Sequence, residues 1–93
     1  MRAPPLDRVS ARDLQLLAML ARGYTTDRAA RELRLSRHTV GEEISVLLGR
    51  FGCRNRAELV AYCYVHRLLP IDIWPPPYDR PDVPTHLVGE QNA

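Results

Sequence analysis

The feature that most constrains the fold is an apolar stripe, Val40, Ile44, Leu47, Leu48 and Phe51, at the i, i+4, i+7, i+8, i+11 spacing of a helix with one buried face. Ser36 stands where a helix cap belongs, and Gly52 where a helix ends. Only Arg34, Leu35 and Ser36 separate this segment from a shorter apolar set, Ala29, Ala30 and Leu33. That set follows a candidate N-cap, Thr25, and has Asp27 in its first turn, where the helix dipole favours a negative charge. Its small alanines let another helix approach closely.

Helical patterning continues on both sides. Ser10, with Asp13 three residues on, opens a first helix through Leu14, Leu16, Leu17, Leu20 and Ala21, which Gly23 stops. Asn55 and Glu58 have the spacing of a reciprocal capping box for a fourth helix, running through Leu59, Val60, Cys63, Tyr64 and Leu68 until Pro70. Tyr62, Val65 and Leu69 lie off that first stripe, so one face is expected on the domain and the other on a partner. The predicted fold is all-α, with four helices.

Residues 1–8, with Pro4 and Pro5, read as a short arm, 9–70 as the domain, and 71–93 as an acidic tail, extended and mostly disordered, holding five of the eight prolines. In this tail Ile71, Ile73, Trp74 and Tyr78 either fold back on the fourth helix or anchor in a partner, against the plainer reading of incidental aromatics. Residues 1–70 carry twelve arginines and seven carboxylates, net +5, while residues 71–93 carry one arginine and four carboxylates, net −3. A tail of that sign lying near a basic surface would compete with a polyanion.

A body of about 60 residues buries only about 60% of the surface its unfolded chain exposes, and dimerisation would add the missing stability. Cys53 and Cys63 lack metal or redox spacing, and a reducing cytoplasm is the default. Cys63 and His66 are three apart on one helix, but two ligands do not make a metal site, and Cys63 is read as a buried small apolar residue. The longest apolar run, Leu16 to Ala21, is six residues, too short to span a membrane, and the start lacks the apolar stretch of a signal peptide. No side-chain set has a context for catalysis. Neither an enzyme nor a cofactor is expected.

Two short helices joined by a three-residue turn, the second longer and polar on its outer face, are the helix-turn-helix plan. From Val9 to Leu69 the chain also resembles the DNA-binding domain of LuxR-type regulators, the GerE or NarL/FixJ type. Val9, Ser10, Arg12 and Asp13 mirror the opening Leu-Thr-x-Arg-Glu, and Met19, Leu20, Ala21 and Gly23 the Leu-Leu-Ala-x-Gly that follows. Ala30, Leu33, Leu35, Ser36, Thr39 and Val40 meet the central motif, and Phe51, Gly52, Arg56 and Glu58 the closing one.

The resemblance implies a stand-alone, sequence-specific transcriptional regulator acting as a dimer on two-fold, double-stranded DNA in the cytoplasm. The third helix, Ser36 to Phe51, would lie in the major groove, and the fourth would pair two copies through Leu59, Tyr62, Val65, His66 and Leu69. Thr39 resembles the family's phosphate-contacting threonine. Thr25 and Thr26 lie at a helix N-terminus, where backbone N–H groups favour a phosphate. Arg34 and Arg37 bracket the turn, Arg50 keeps a basic position, and Arg54 and Arg56 flank the next helix start. His38, Gly41, Glu42 and Ser45 complete the expected DNA-facing set.

This sequence also departs from the family pattern. Gly41 stands where the family usually carries lysine, Glu43 where it often carries histidine, and Val46 and Gly49 where it is usually polar or basic. Arg34 takes the place of a turn glycine, so a positive φ there would be strained. Each interior glycine costs a helix about 1 kcal/mol relative to alanine, a cost that close approach of the backbone to DNA would justify. Glu42 is read as a base reader, accepting from cytosine N4, and Glu43 as an ion-pair partner of an arginine such as Arg12 or Arg31. The runner-up reading keeps the fold but makes it a protein interaction module, binding another regulator or RNA polymerase through the third helix or the Trp74 region.

Overall fold

The computed structural model describes residues 9–77. Four helices follow in order, α1 (Ala11–Ala21), α2 (Thr26–Leu33), α3 (Arg37–Phe51) and α4 (Arg56–Val65), with no strand among the described residues. Each begins at a side-chain cap. Ser10 and Asp13 form a reciprocal box on α1, Thr25 accepts from the Arg28 N–H, Ser36 from the Thr39 N–H, and Asn55 from the Glu58 N–H. These contacts satisfy N–H groups that the first turn leaves without partners.

The reciprocal half of the box expected at Asn55 is shifted by one residue. Glu58 accepts from the backbone N–H of Arg54, at 2.9 Å, and from the Arg54 guanidinium, at 2.7 and 3.0 Å. A cation beside the cap gives the carboxylate a better partner than the cap's own amide.

Helix α2 packs on α3, α1 on α4 and on α2, and α3 on α4. Leu16, Leu17, Ala18 and Met19 of α1 are fully buried, together with Ala29 of α2, Val40 of α3, and Leu59 and Cys63 of α4. Leu47 is almost so. Burial on this scale contributes about 1.5–3 kcal/mol for each large apolar side chain. Burial, with a smaller contribution from Cys53, pushes the Cys63 thiol up to about 12, so it stays neutral and packs as a small apolar group.

The pairs α1–α3 and α2–α4 lack close backbone contact, and arginines span both gaps. Arg12 reaches Glu43 at 2.8 Å and Arg50 reaches Asp13 at 3.6 Å, joining α1 to α3. Arg56, in the first turn of α4, donates to the Tyr24 carbonyl and, at 3.4 Å, to Thr26 Oγ1.

Two chain reversals place non-glycine residues in the left-handed region. Arg34 has φ 59 at the end of α2, the strained turn expected from the missing glycine. Arg67 also has φ 59, and there the structure corrects the predicted end of α4. The helix stops at Val65, well before Pro70, because the left-handed residue lets the N–H groups of Leu68 and Leu69 turn back to the Cys63 carbonyl, at 2.7 and 3.2 Å. Leu69 is thereby driven into the core.

Residues 71–77 form turns that leave Ile71, Ile73 and Trp74 exposed and bury Pro76, whose carbonyl accepts from Arg22 Nε at 2.8 Å. The packed body thus runs past Pro70 and closes against the C-terminal end of α1. The expected arm at 1–8, Tyr78 and the remainder of the tail lie outside the described residues. No helix among the described residues is long and apolar enough to cross a membrane.

Candidate nucleic-acid interface

The left-handed Arg34 turns the chain sharply enough to leave the outer face of α3 clear of the other helices. Val40, Ile44, Leu47 and Phe51 hold the helix to the core, so helical periodicity presents His38, Glu42, Ser45, Val46 and Gly49 to solvent. Gly41 is half-buried on the flank. A Cβ added at Gly41 or Gly49 would meet nothing within 4 Å, so packing inside the protein requires neither glycine.

The N-terminus of α3 combines a cap with a hydroxyl relay. Ser36 Oγ accepts from the Thr39 N–H at 3.0 Å and donates to Thr39 Oγ1 at 2.9 Å, which leaves the Thr39 proton available to an outside acceptor. Exposed Thr25 caps α2 nearby, and Arg37 Nε pairs with Asp27 at 3.2 Å, linking the first turns of α2 and α3. Thr26, by contrast, is half-buried and engaged by Arg56.

Each arginine and glutamate side chain of α3 has a polar partner. Arg37 pairs with Asp27, His38 with Glu42 across one turn, Glu43 with Arg12, and Arg50 with Asp13. The Arg12–Glu43 pair is one of the two expected for Glu43. The exposed Arg37–Asp27 pair contributes only about 0–1 kcal/mol, so a stronger anion can displace it, while Arg50–Asp13 is more shielded from solvent.

The other expected basic contacts divide. Arg34 is exposed and has no ion pair among the described residues, whereas Arg54 is held by Glu58. Arg54's hydrogen bonds, from its side chain first and its backbone second, lower the Glu58 pKa. Arg56 turns inward, so its described contacts tie α4 to the loop before α2 and do not point out toward a ligand.

Of the residues expected at a partner interface on α4, Leu59 and Leu69 are buried within the protomer. A helix apolar on more than one side does not reveal from sequence which side is inside. Tyr62 is half-buried, stacked on Phe51 with ring centroids 4.8 Å apart and tilted against His66 at 4.0 Å. Val65, 74% exposed, and His66 reach the surface. Ala57 and Ala61 are exposed as well and form with Val65 an i, i+4, i+8 row of small apolar residues. The spacing is readable in the sequence, but alanine is a weak signal of a surface.

A family profile described as "Bacterial regulatory proteins, luxR family" matches residues 7–63. A protein described as "Probable transcriptional regulatory protein SgaR", from Hyphomicrobium methylovorum, is 40% identical over 57 residues, which are 61% of this chain and 27% of that protein. The chain thus spans about a quarter of the length of that relative. No solved structure gives a significant match.

Proposed function

The chain belongs to the luxR family of bacterial regulatory proteins, and on that premise we propose a dimeric, sequence-specific transcriptional regulator that lays α3 in the DNA major groove. The family and the relative support DNA-binding transcription regulation at the coarser level. The observation that carries the finer reading is the outer face of α3, free of other helices and led by a capped N-terminus with the Thr39 hydroxyl available. Thr25, Arg34, Arg37 and Thr39 hold phosphates, while Gly41, Glu42 and Ser45 face base edges.

Binding exchanges weak intramolecular pairs for phosphate contacts. Arg37 leaves the exposed Asp27 at a cost of about 0–1 kcal/mol, whereas the Arg50–Asp13 pair is shielded from solvent and costs more to open. The exposed Ala57, Ala61 and Val65 row of α4, with His66 at its end, meets its copy in a second protomer, spacing the two reading helices by about 34 Å, one turn of DNA. Such a protein works in the cytoplasm, on the nucleoid.

The pairing of both α3 arginines with carboxylates is what favours the second reading, a protein interaction module, because a face whose cations are already paired draws a polyanion weakly. Selection of bound duplexes from a random pool, with affinity followed against salt, separates the two. The DNA reading gives a two-fold motif and an affinity that falls steeply with salt. No enrichment at low salt would leave the interaction module.

A further inference from the structure

The outer face of α3 has no arginine or lysine between its two ends, and so lacks the bidentate donors that read guanine. Its two arginines, Arg37 and Arg50, stand near opposite ends, and each is ion-paired. Between them the solvent-facing side chains are His38, Glu42, Ser45 and Val46. In the major groove guanine offers two acceptors, adenine an acceptor beside a donor, cytosine a donor, and thymine an acceptor and a methyl group.

A carboxylate only accepts hydrogen bonds, and a valine offers only apolar contact. The Glu42 side chain is 66% exposed, and its contact with His38 Nε2 employs one oxygen and leaves the other free. Guanine's acceptors repel it, adenine's N7 repels it beside the amino group, and cytosine N4 donates with no acceptor alongside. Val46, 59% exposed, lies one turn further on the same side, where i, i+4 spacing separates Cβ atoms by about 5–6 Å. With Asp13 of α1 and Thr39, Glu42, Glu43, Leu47 and Arg50 of α3 it lines a groove of about 280 Å³ between the two helices, where Leu47 is the other apolar wall beside a methyl group. A valine this exposed gains by leaving water, and thymine is the base that supplies an apolar group in this groove.

We propose that Glu42 and Val46 together make this helix a reader of pyrimidines, Glu42 accepting from cytosine N4 and Val46 covering a thymine methyl on the same strand. At about 3.4 Å per base pair, the Cβ spacing puts the two bases one or two steps apart. The inference rests on the proposed DNA function and adds to it the sequence class of the half-site.

The test uses the full 93-residue chain and the duplex that it selects from a random pool. Each half-site is expected to contain a cytosine and a thymine within two steps on one strand. Replacing that thymine by deoxyuridine removes only the methyl and is expected to weaken binding about three- to fivefold. The Val46→Ala protein, altered at an exposed position by a better helix former, is expected to bind the two duplexes equally. Glu42→Gln is expected to lose about tenfold of the preference for cytosine over other bases.

A selected site without such a pair would overturn the assignment and leave DNA reading intact. So would a deoxyuridine penalty that Val46→Ala does not abolish. No selected duplex at low salt would overturn the DNA function, and the assignment with it.

Discussion

The two faces of α3 are stabilised on different terms. On the inner face Val40, Ile44, Leu47 and Phe51 are nearly or fully buried, and each loses contacts on all sides if it is shortened. On the outer face the charged groups pair with one another and with α1 and α2 while remaining in water, and two glycines stand where nothing in the protein needs them. The inner face holds the fold together, and the outer face is left free to change partners. One helix therefore tolerates unusual residues on the side where a ligand, and not the core, decides the cost.

The contrast predicts a graded set of stability effects. Leu47→Ala should cost about 2–5 kcal/mol in urea unfolding, the penalty of a cavity under α3. A cost under about 1 kcal/mol would show that the inner face is loosely packed. Arg56→Ala should cost about 1–3 kcal/mol, because it leaves the Tyr24 carbonyl without its donor. Arg54→Ala should leave urea unfolding unchanged within the error of the measurement, since its pair with Glu58 is exposed. Equal losses in the two arginine variants would erase the distinction between an inward strut and a surface pair.

Substitutions at the outer face and its turn should raise stability. Gly41→Ala should gain about 1 kcal/mol from helix propensity, with no clash to offset it. Arg34→Gly should gain about 1 kcal/mol by relieving the left-handed backbone. If the proposed interface is correct, both lose DNA affinity while becoming more stable. Simultaneous gains in stability and affinity would count against Gly41 as a point of close approach and Arg34 as a phosphate contact.

The smallest effect is a pH dependence. Because the folded Glu58 pKa is lowered, the stability it contributes is fully present above the ordinary glutamate value of 4.5 and is lost as pH falls through the folded value. Arg54→Ala should reduce this acid-side loss, because it removes the guanidinium bonds and keeps the backbone N–H, so the wild-type and variant stability curves should approach each other below that range. Parallel curves would show that the Arg54–Glu58 pair does not set the shift.

Much of the fold is legible in the sequence because capping chemistry is local. Ser10, Thr25, Ser36 and Asn55 all cap where their spacing predicts, and the apolar stripes name most of the core. The end of α4 is not legible, since Arg67 adopts the left-handed conformation without the glycine that would announce it. The roles of surface-like arginines are equally hidden. Arg56 acts inward and Arg54 along its own helix because of carbonyls and carboxylates that only folding brings near.

The interface shows the same division. Periodicity alone places Glu42 and Ser45 on the outer face, and the Arg12–Glu43 pair could be narrowed to two candidate partners. Leu69 could not be separated from Val65, because its burial depends on a turn 66–69 that the pattern does not encode.

Backbone amide shifts recorded while the selected duplex is added to the labelled chain test the central claim most directly. The account predicts that the largest changes fall on the turn and outer face of α3, at Arg34, Arg37, His38, Gly41, Glu42, Ser45 and Val46, with Ala57, Ala61 and Val65 unaffected by the DNA itself. Changes centred on residues 65–74, with α3 silent, would contradict it.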